Sequence, residues 1–187
     1  MLNWVFLLLI CINYFFISDD LNMQKGRKTL MPRILNASPG FGVPLGEEEI
    51  KAFLTSKVLN VHLGTVDGKG DANIHPAWYY YDPSKDKIYV ETGKLSKKTD
   101  NLKKNNSIYF CIDDQNPPYK GVRGKGTVKI YEDLSFNVPI AEKIHIRYLG
   151  SLDNPISKSL MEAVRKGQSV VLEISPRYYS TWDYSKV

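Results

Sequence analysis

Between Lys87 and Ile112 the chain sets two alternating apolar runs around one short polar block, and this arrangement limits the folds open to it. Lys87-Ile88-Tyr89-Val90-Glu91-Thr92 and Ser107 to Ile112 alternate in the two-residue period of strands, with β-branched and aromatic residues at the apolar positions. The block between them begins with Ser96, a good N-cap, and continues in helix formers from Lys97 to Lys104. The start of that helix carries an electrostatic anomaly. Lys94, Lys97 and Lys98 crowd the end where the helix dipole is already positive, which costs each about a few tenths of a kcal/mol. A bound anion would reverse the sign, because free backbone N–H groups, the hydroxyls of Ser96 and Thr99, and the lysines would all face it. The competing reading is a solvated basic helix start.

The remainder of the chain supplies the surroundings. A helix starts at Glu47-Glu48-Glu49, acids in its first turn, and docks through Ile50, Phe53 and Leu54. Val58 to Val66 reads as a strand, Asp67-Gly68-Lys69-Gly70 as a hairpin turn, and Asp71 to Tyr81 as the return strand. Pro76 inside that return strand predicts an edge position or a bulge. Gly121 to Tyr131 is a further strand, with Arg123, Lys125, Thr127 and Lys129 on one face, read as solvent-facing, and Val122, Gly124, Gly126, Val128 and Ile130 on the other. Two amphipathic helices are expected at 138–149 and 156–165, then a buried strand from Ser169 to Ile174 and an alternating one from Arg177 to Tyr184. The fold predicted is mainly β with flanking helices, an antiparallel barrel rather than a doubly wound sheet.

Two domain-level segments are expected: an apolar leader and basic linker over 1–30, and one domain over 31–187. The apolar run from Trp4 to Ile17 is shorter than the roughly 20 residues of a membrane span. It lacks a basic n-region and a small-residue cleavage site, so three readings stand: an N-terminal anchor, an atypical signal, or upstream sequence ahead of a start at Met23 or Met31. The last is preferred and places the protein in the cytoplasm; an anchor would hold it at the membrane with Lys25, Arg27, Lys28 and Arg33 on the cytoplasmic side. Cys11 and Cys111 are too far apart in sequence to suggest a disulfide framework.

A net charge of +5 favours anionic ligands in general. The lysines form no continuous basic tail, so no nucleic-acid partner is expected, although a basic barrel binding single strands is the reading to exclude. His62, His75 and His145 lack metal-ligand spacing, and no metal is expected. No dinucleotide fingerprint, Walker lysine or nucleophile elbow appears, and no acid, base or nucleophile can be assigned, which leaves the catalytic residues unknown. A protein without evident catalytic groups fits a reaction carried by a cofactor.

The order strand, Thr92, spacer, Ser96-Lys97-Lys98, a polar helix with Asn101-Leu102, Asn105, then an apolar strand resembles the core of the pyridoxamine 5′-phosphate oxidase-like, flavin-binding split-barrel proteins. Lys97 stands where the oxidases carry Arg, and Asn106 where they carry Pro. The Asp67-Gly68 hairpin with His75-Pro76-Ala77-Trp78, and the closing Arg177 to Trp182 segment, are similar to the family's first and last strands. The resemblance implies an antiparallel split barrel, a homodimer with flavin sites at the subunit interface, and an oxidoreductase that transfers hydride to or from an organic substrate. By position it implies that Ser96, Lys97, Lys98 and Thr99 hold the phosphate, that Thr92 and the backbone near His75 and Trp78 line the ribityl chain and ring, and that Trp182 comes from the partner subunit. The arginine on the preceding strand and the C-terminal Arg-x-His pattern of the true oxidases are not found, which points to the smaller members that use FMN or a deazaflavin coenzyme. A non-catalytic flavin or haem carrier of the same fold is the alternative.

Overall fold

The computed structural model describes residues 32–40 and 43–186; the readings made for the leader over 1–30 lie outside them. Among the described residues, eight strands form one sheet with four helices against it. In chain order these are β1 (Arg33–Asn36), α1 (Glu47–Ser56), β2 (Val61–Val66), β3 (Ala72–Ala77), β4 (Tyr80–Asp82), β5 (Lys87–Gly93), α2 (Lys97–Lys104), β6 (Ser107–Asp114), β7 (Lys120–Tyr131), α3 (Leu134–Leu149), α4 (Pro155–Arg165) and β8 (Ser169–Asp183). The sheet runs β3-β2-β6-β7-β8-β5-β4, every pair antiparallel, with β1 added parallel to β8. The two ends of that path, β3 and β4, are consecutive in sequence and do not pair. This is the antiparallel split barrel that the sequence led us to expect.

Four element boundaries differ from the sequence reading. Val58 to Asn60 is not strand, and β2 begins at Val61. The single strand expected over 71–81 divides into β3 and β4 at Trp78 and Tyr79, because Trp78 stacks on Tyr148 at 4.9 Å and the Tyr79 N–H donates to the Tyr148 hydroxyl at 3.1 Å. That contact carries the chain from one end of the sheet to the other. Pro76 sits on the terminal strand β3, where its missing N–H costs least. The two closing strands are instead one, β8, which passes through Pro176 because the β7–β8 register shifts there, leaving Arg177 without an opposite residue. Finally, α3 starts a turn earlier than expected, where the Asp133 carboxylate accepts the Ser135 N–H at 3.0 Å and Phe136 stacks on Tyr131 at 3.9 Å.

The main core fills the barrel with Leu63, Val90, Ile108, Phe110, Ile112, Leu172 and Ile174, closed by Ile50, Phe53 and Leu54 of α1. A second cluster, Tyr89, Ile140, Ile144 and Val171, lies between β5, β8 and α3. Hence β5 is covered on both faces: Ile88 and Val90 point into the barrel, while Tyr89 and Glu91 point to the helices. Among the described residues no helix is long and apolar enough to cross a membrane.

Candidate anion site at the start of α2

The β5 strand ends at Gly93 and turns directly into α2. Ser96 caps the helix: its Oγ lies 3.4 Å from the Thr99 N–H. The Thr99 hydroxyl donates to the Gly93 carbonyl at 3.0 Å and sits 2.9 Å from the Ser96 Oγ. Both hydroxyls are therefore already engaged in holding the turn. The first amides of the helix, those of Lys97 and Lys98, have no intrahelical acceptor and remain available. Behind them α2 is pinned to the barrel, since the buried Asn101 Nδ2 donates to the Thr65 Oγ1 of β2 at 3.1 Å.

The lysines that looked anomalous in sequence have different environments. Lys97 lies 3.4 Å from Asp67 in the β2–β3 turn. Lys94 pairs with Glu132 at 2.7 Å, and Lys103 approaches the same carboxylate at 3.7 Å. The Asp67 carboxyl is held below its ordinary range, first by the Lys69 and Asp71 backbone N–H groups and then by Lys97. Lys98 is the exception. It is 8% exposed, and among the described residues its ammonium has no hydrogen bond and no ion pair. Burial pulls its pKa down, and the nearby Glu91 carboxylate partly offsets that. Two of the three lysines of the anomaly are thus accounted for by Glu132 and Asp67, and the rest concentrates on Lys98.

Of the other residues singled out in the sequence, Thr92 is buried at the end of β5, next to this turn. The remaining three have their recorded contacts elsewhere. The His75 Nδ1 lies 3.1 Å from the Asn73 Oδ1 on the edge strand. Trp78 is packed between Tyr148, stacked, and His145, edge-on with centroids 6.3 Å apart. Trp182 covers Gly121, where a Cβ would stand 2.2 Å from the indole, so only glycine fits. Thr92 pairs with Val170 and Trp182 with Gly121, at opposite ends of β8, and positions 170 and 182 are separated by about 40 Å of extended chain. One chain alone does not bring Trp182 to α2.

The sequence reading missed the acidic partners Asp67 and Glu132, and also a buried chain beside Thr92. The His145 Nε2 lies 3.4 Å from the Glu91 carboxylate, and its Nδ1 lies 3.3 Å from the Ser157 Oγ; His145 and Ser157 are fully buried. Only the position of Glu91, out of register with the apolar face of β5, hinted at it. A hollow of about 540 Å³, lined by Gly93, Lys94, Leu95, Ser96, Gly167 and Gln168, adjoins the α2 start. Another of about 510 Å³ lies on the outer face of the sheet among Ile74, Tyr109, Arg123 and Tyr178, and none of the candidate flavin-binding residues lines it. Among the described residues no cluster of His, Cys, Asp and Glu is arranged to hold a metal ion.

Comparison with known proteins agrees with this architecture. The pyridoxamine 5′-phosphate oxidase family model matches residues 47–183. No curated protein matches the chain. Among solved structures, a conserved hypothetical protein of Mycobacterium tuberculosis is 24% identical with a TM-score of 0.66, over 78% of this chain and 88% of that one. An F420 reductase is 24% identical with a TM-score of 0.57, over 74% and 98%. HutZ, a haem storage protein from Vibrio cholerae, is 14% identical with a TM-score of 0.56, over 73% and 93%. These three share the fold.

Proposed function

Because the chain belongs to the pyridoxamine 5′-phosphate oxidase family, we propose that it is a flavin-dependent oxidoreductase holding FMN, or a deazaflavin coenzyme, by its phosphate at the start of α2. The observation that carries the reading is Lys98: a largely buried lysine whose ammonium has no hydrogen bond or ion pair among the described residues, at a helix start whose first amides have no intrahelical acceptor. Burial of the residue disfavours its charged form, and an anion bound at the helix start would favour it. The residues present fit a phosphate. The Lys97 and Lys98 amides and the Lys98 ammonium would bind it, Ser96 and Thr99 would keep the turn in shape, and Lys97 would contribute by leaving Asp67.

Bound there, the flavin would supply hydride transfer to or from an organic substrate. Thr92, at the end of β5, would orient the portion next to the phosphate. The assignment of His75, Trp78 and a partner subunit's Trp182 to the ring belongs to the same proposal and requires a homodimer. Likeness to an F420 reductase keeps the deazaflavin in the reading, and likeness to a haem storage protein makes haem the alternative ligand.

The experiment is the absorption spectrum of the purified protein, followed by titration with FMN, the deazaflavin coenzyme and haem. Flavin or deazaflavin uptake with stoichiometric saturation, and turnover of the bound cofactor by a reductant, is the expected result. A colourless protein that takes up neither refutes the proposal, and uptake of haem alone replaces it with a carrier.

A further inference from the structure

Gly64 lies in the middle of β2, where glycine weakens a strand. Its pairing with β3 and β6 is regular, without a bulge that would call for glycine. Nor is it crowded. A Cβ there would meet Tyr109 at 3.5 Å, an ordinary contact, whereas at Gly121, Gly124 and Gly126 it would stand 2.2–2.6 Å from a neighbour. Glycine in a strand that needs it for neither reason marks a place where something approaches the backbone closely. Here Gly64 forms part of the floor of the hollow of about 510 Å³ on the outer sheet face, a volume within the roughly 300–1,000 Å³ of small-molecule sites. Ile74, Gly64, Tyr109 and Tyr178 stand in one row across β3, β2, β6 and β8, with Lys125 of β7 between the tyrosines. Arg123 stands in the next row, about 7 Å along the strands. Ile74 is 69% exposed and Tyr109 54%, so bare apolar surface flanks the glycine on both sides. Among the described residues Arg123 is the one permanently charged side chain lining the hollow, and it makes no hydrogen bond and no ion pair. Other charges near it are engaged and do not line the hollow. Lys125 lies over the Tyr109 ring at 5.2 Å, and Asp113 accepts the Cys111 thiol at 3.8 Å and lies 3.9 Å from His62. The Cys111 thiol in the lining is neutral, since burial and then Asp113 push its pKa up to about 11.

We infer that this hollow binds a small organic anion, its flat apolar body laid over Gly64 between Ile74, Tyr109 and Tyr178 and its one carboxylate on Arg123. The guanidinium is planar, pairs with a carboxylate through two parallel N–H donors and is weakly hydrated, which suits a half-open apolar site. The lining residues all belong to strands, so no helix start adds to the arginine, and a single arginine matches a single negative charge. The inference is independent of the flavin reading, because none of the residues assigned to the flavin lines the hollow.

The test titrates the full chain with two fluorescent probes that share an aromatic frame. One is 8-anilinonaphthalene-1-sulfonate, whose sulfonate stands in for the carboxylate; the other is the uncharged N-phenyl-1-naphthylamine. The unaltered protein binds the anionic probe more tightly than the neutral one. Arg123→Gln weakens the anionic probe by about tenfold, the worth of one charged hydrogen bond at its lower end, and leaves the neutral probe unchanged. Gly64→Val suits a strand and meets only ordinary contacts at its Cβ, so it fills the floor of the hollow and weakens both probes. Anionic-probe affinity that is equal in Arg123→Gln and the unaltered protein overturns the inference, and so does a protein that binds neither probe. A probe seated at the α2 start instead would give the first of these results. Arg123 is exposed, so its replacement does not threaten the fold, and this arm decides should Gly64→Val fail to fold. Sedimentation over a range of protein concentrations accompanies the titration. Probe affinity that falls as the protein self-associates shows that a second copy covers the face, and overturns the inference. Failure of the flavin reading shows separately, as a protein that takes up neither FMN nor the deazaflavin coenzyme yet binds the anionic probe through Arg123.

Discussion

Replacing Lys98 by Met should have two effects of opposite sign. Met preserves most of the length and apolar stem of lysine and removes only the ammonium, which among the described residues has no hydrogen bond or ion pair. Leaving a fully buried polar group unsatisfied costs about 1–3 kcal/mol. Lys98 is largely but not fully buried, so Lys98→Met should raise the stability of the ligand-free protein by less than that, and a domain of this size gains about 2–4 °C in Tm per kcal/mol. The same change removes one charge-assisted hydrogen bond to a bound phosphate, about 1.5–3 kcal/mol, so the Kd for FMN should rise by about 10- to 150-fold. Riboflavin affinity should not change. Calorimetry of the ligand-free proteins and fluorescence titration with both flavins measure the two effects separately. A variant less stable than the parent would mean that Lys98 is already satisfied within the chain, and the case for an anion there would lose its basis. A stabilised variant with undiminished FMN affinity would place the phosphate elsewhere.

Further predictions concern the frame that presents the site. Asp114 is held at a pKa of about 2, first by its hydrogen bond from Lys57 and then by those from Asn116, against an ordinary value of about 4. A carboxyl depressed in the folded state contributes stability above its unfolded pKa and loses it as pH falls through the folded one. The Tm difference between the parent and Asp114→Asn should thus be greatest near neutrality and should close between pH of about 4 and about 2; a difference constant across that window would refute it. The buried Asp86 accepts the Tyr81 hydroxyl at 2.8 Å and the Tyr179 hydroxyl at 2.6 Å, tying the β4–β5 turn to β8. Tyr179→Phe should cost about 1.5–3 kcal/mol in urea unfolding, and a cost below a few tenths would show that the network is not stabilising. At Gly124 a Cβ would stand 2.4 Å from the Tyr178 carbonyl oxygen, a backbone atom that cannot give way without disturbing the β7–β8 ladder. Gly124→Ala should destabilise by about 1–3 kcal/mol, and unchanged unfolding would show that the two strands lie farther apart.

How much of this was legible in the sequence depends on whether a feature is set by near or distant residues. Period-two alternation in Lys87 to Thr92 and Ser107 to Ile112, and the Ser96 cap, are local, and all appear where the sequence places them. Likewise the two faces of β7 separate as alternation requires: Val122, Gly124, Gly126 and Val128 are buried, and Arg123 and Lys129 are exposed. The boundaries that moved were decided by partners far away. Tyr148 on α3 broke the strand at Trp78, and the bulge opposite Lys125 and Gly126 let β8 run through Pro176. The same holds at the site. That Ser96, Lys97, Lys98 and Thr99 cluster at one helix start follows from adjacency, but their availability does not. Asp67 reaches Lys97 from a turn about 30 positions earlier, Glu132 reaches Lys94 from the end of β7, and Glu91 meets a histidine 54 positions later. No pattern along the chain reveals which lysine such partners leave free; that required the folded arrangement.

The central claim is that the start of α2 recognises a flavin through its phosphate. Measuring FMN and riboflavin affinities side by side on the same preparation tests it most directly, because the two ligands share the ring and ribityl chain and differ only in that group. The account predicts FMN tighter by at least about tenfold, with the difference shrinking as salt is raised. Equal affinities for the two, independent of salt, would contradict it.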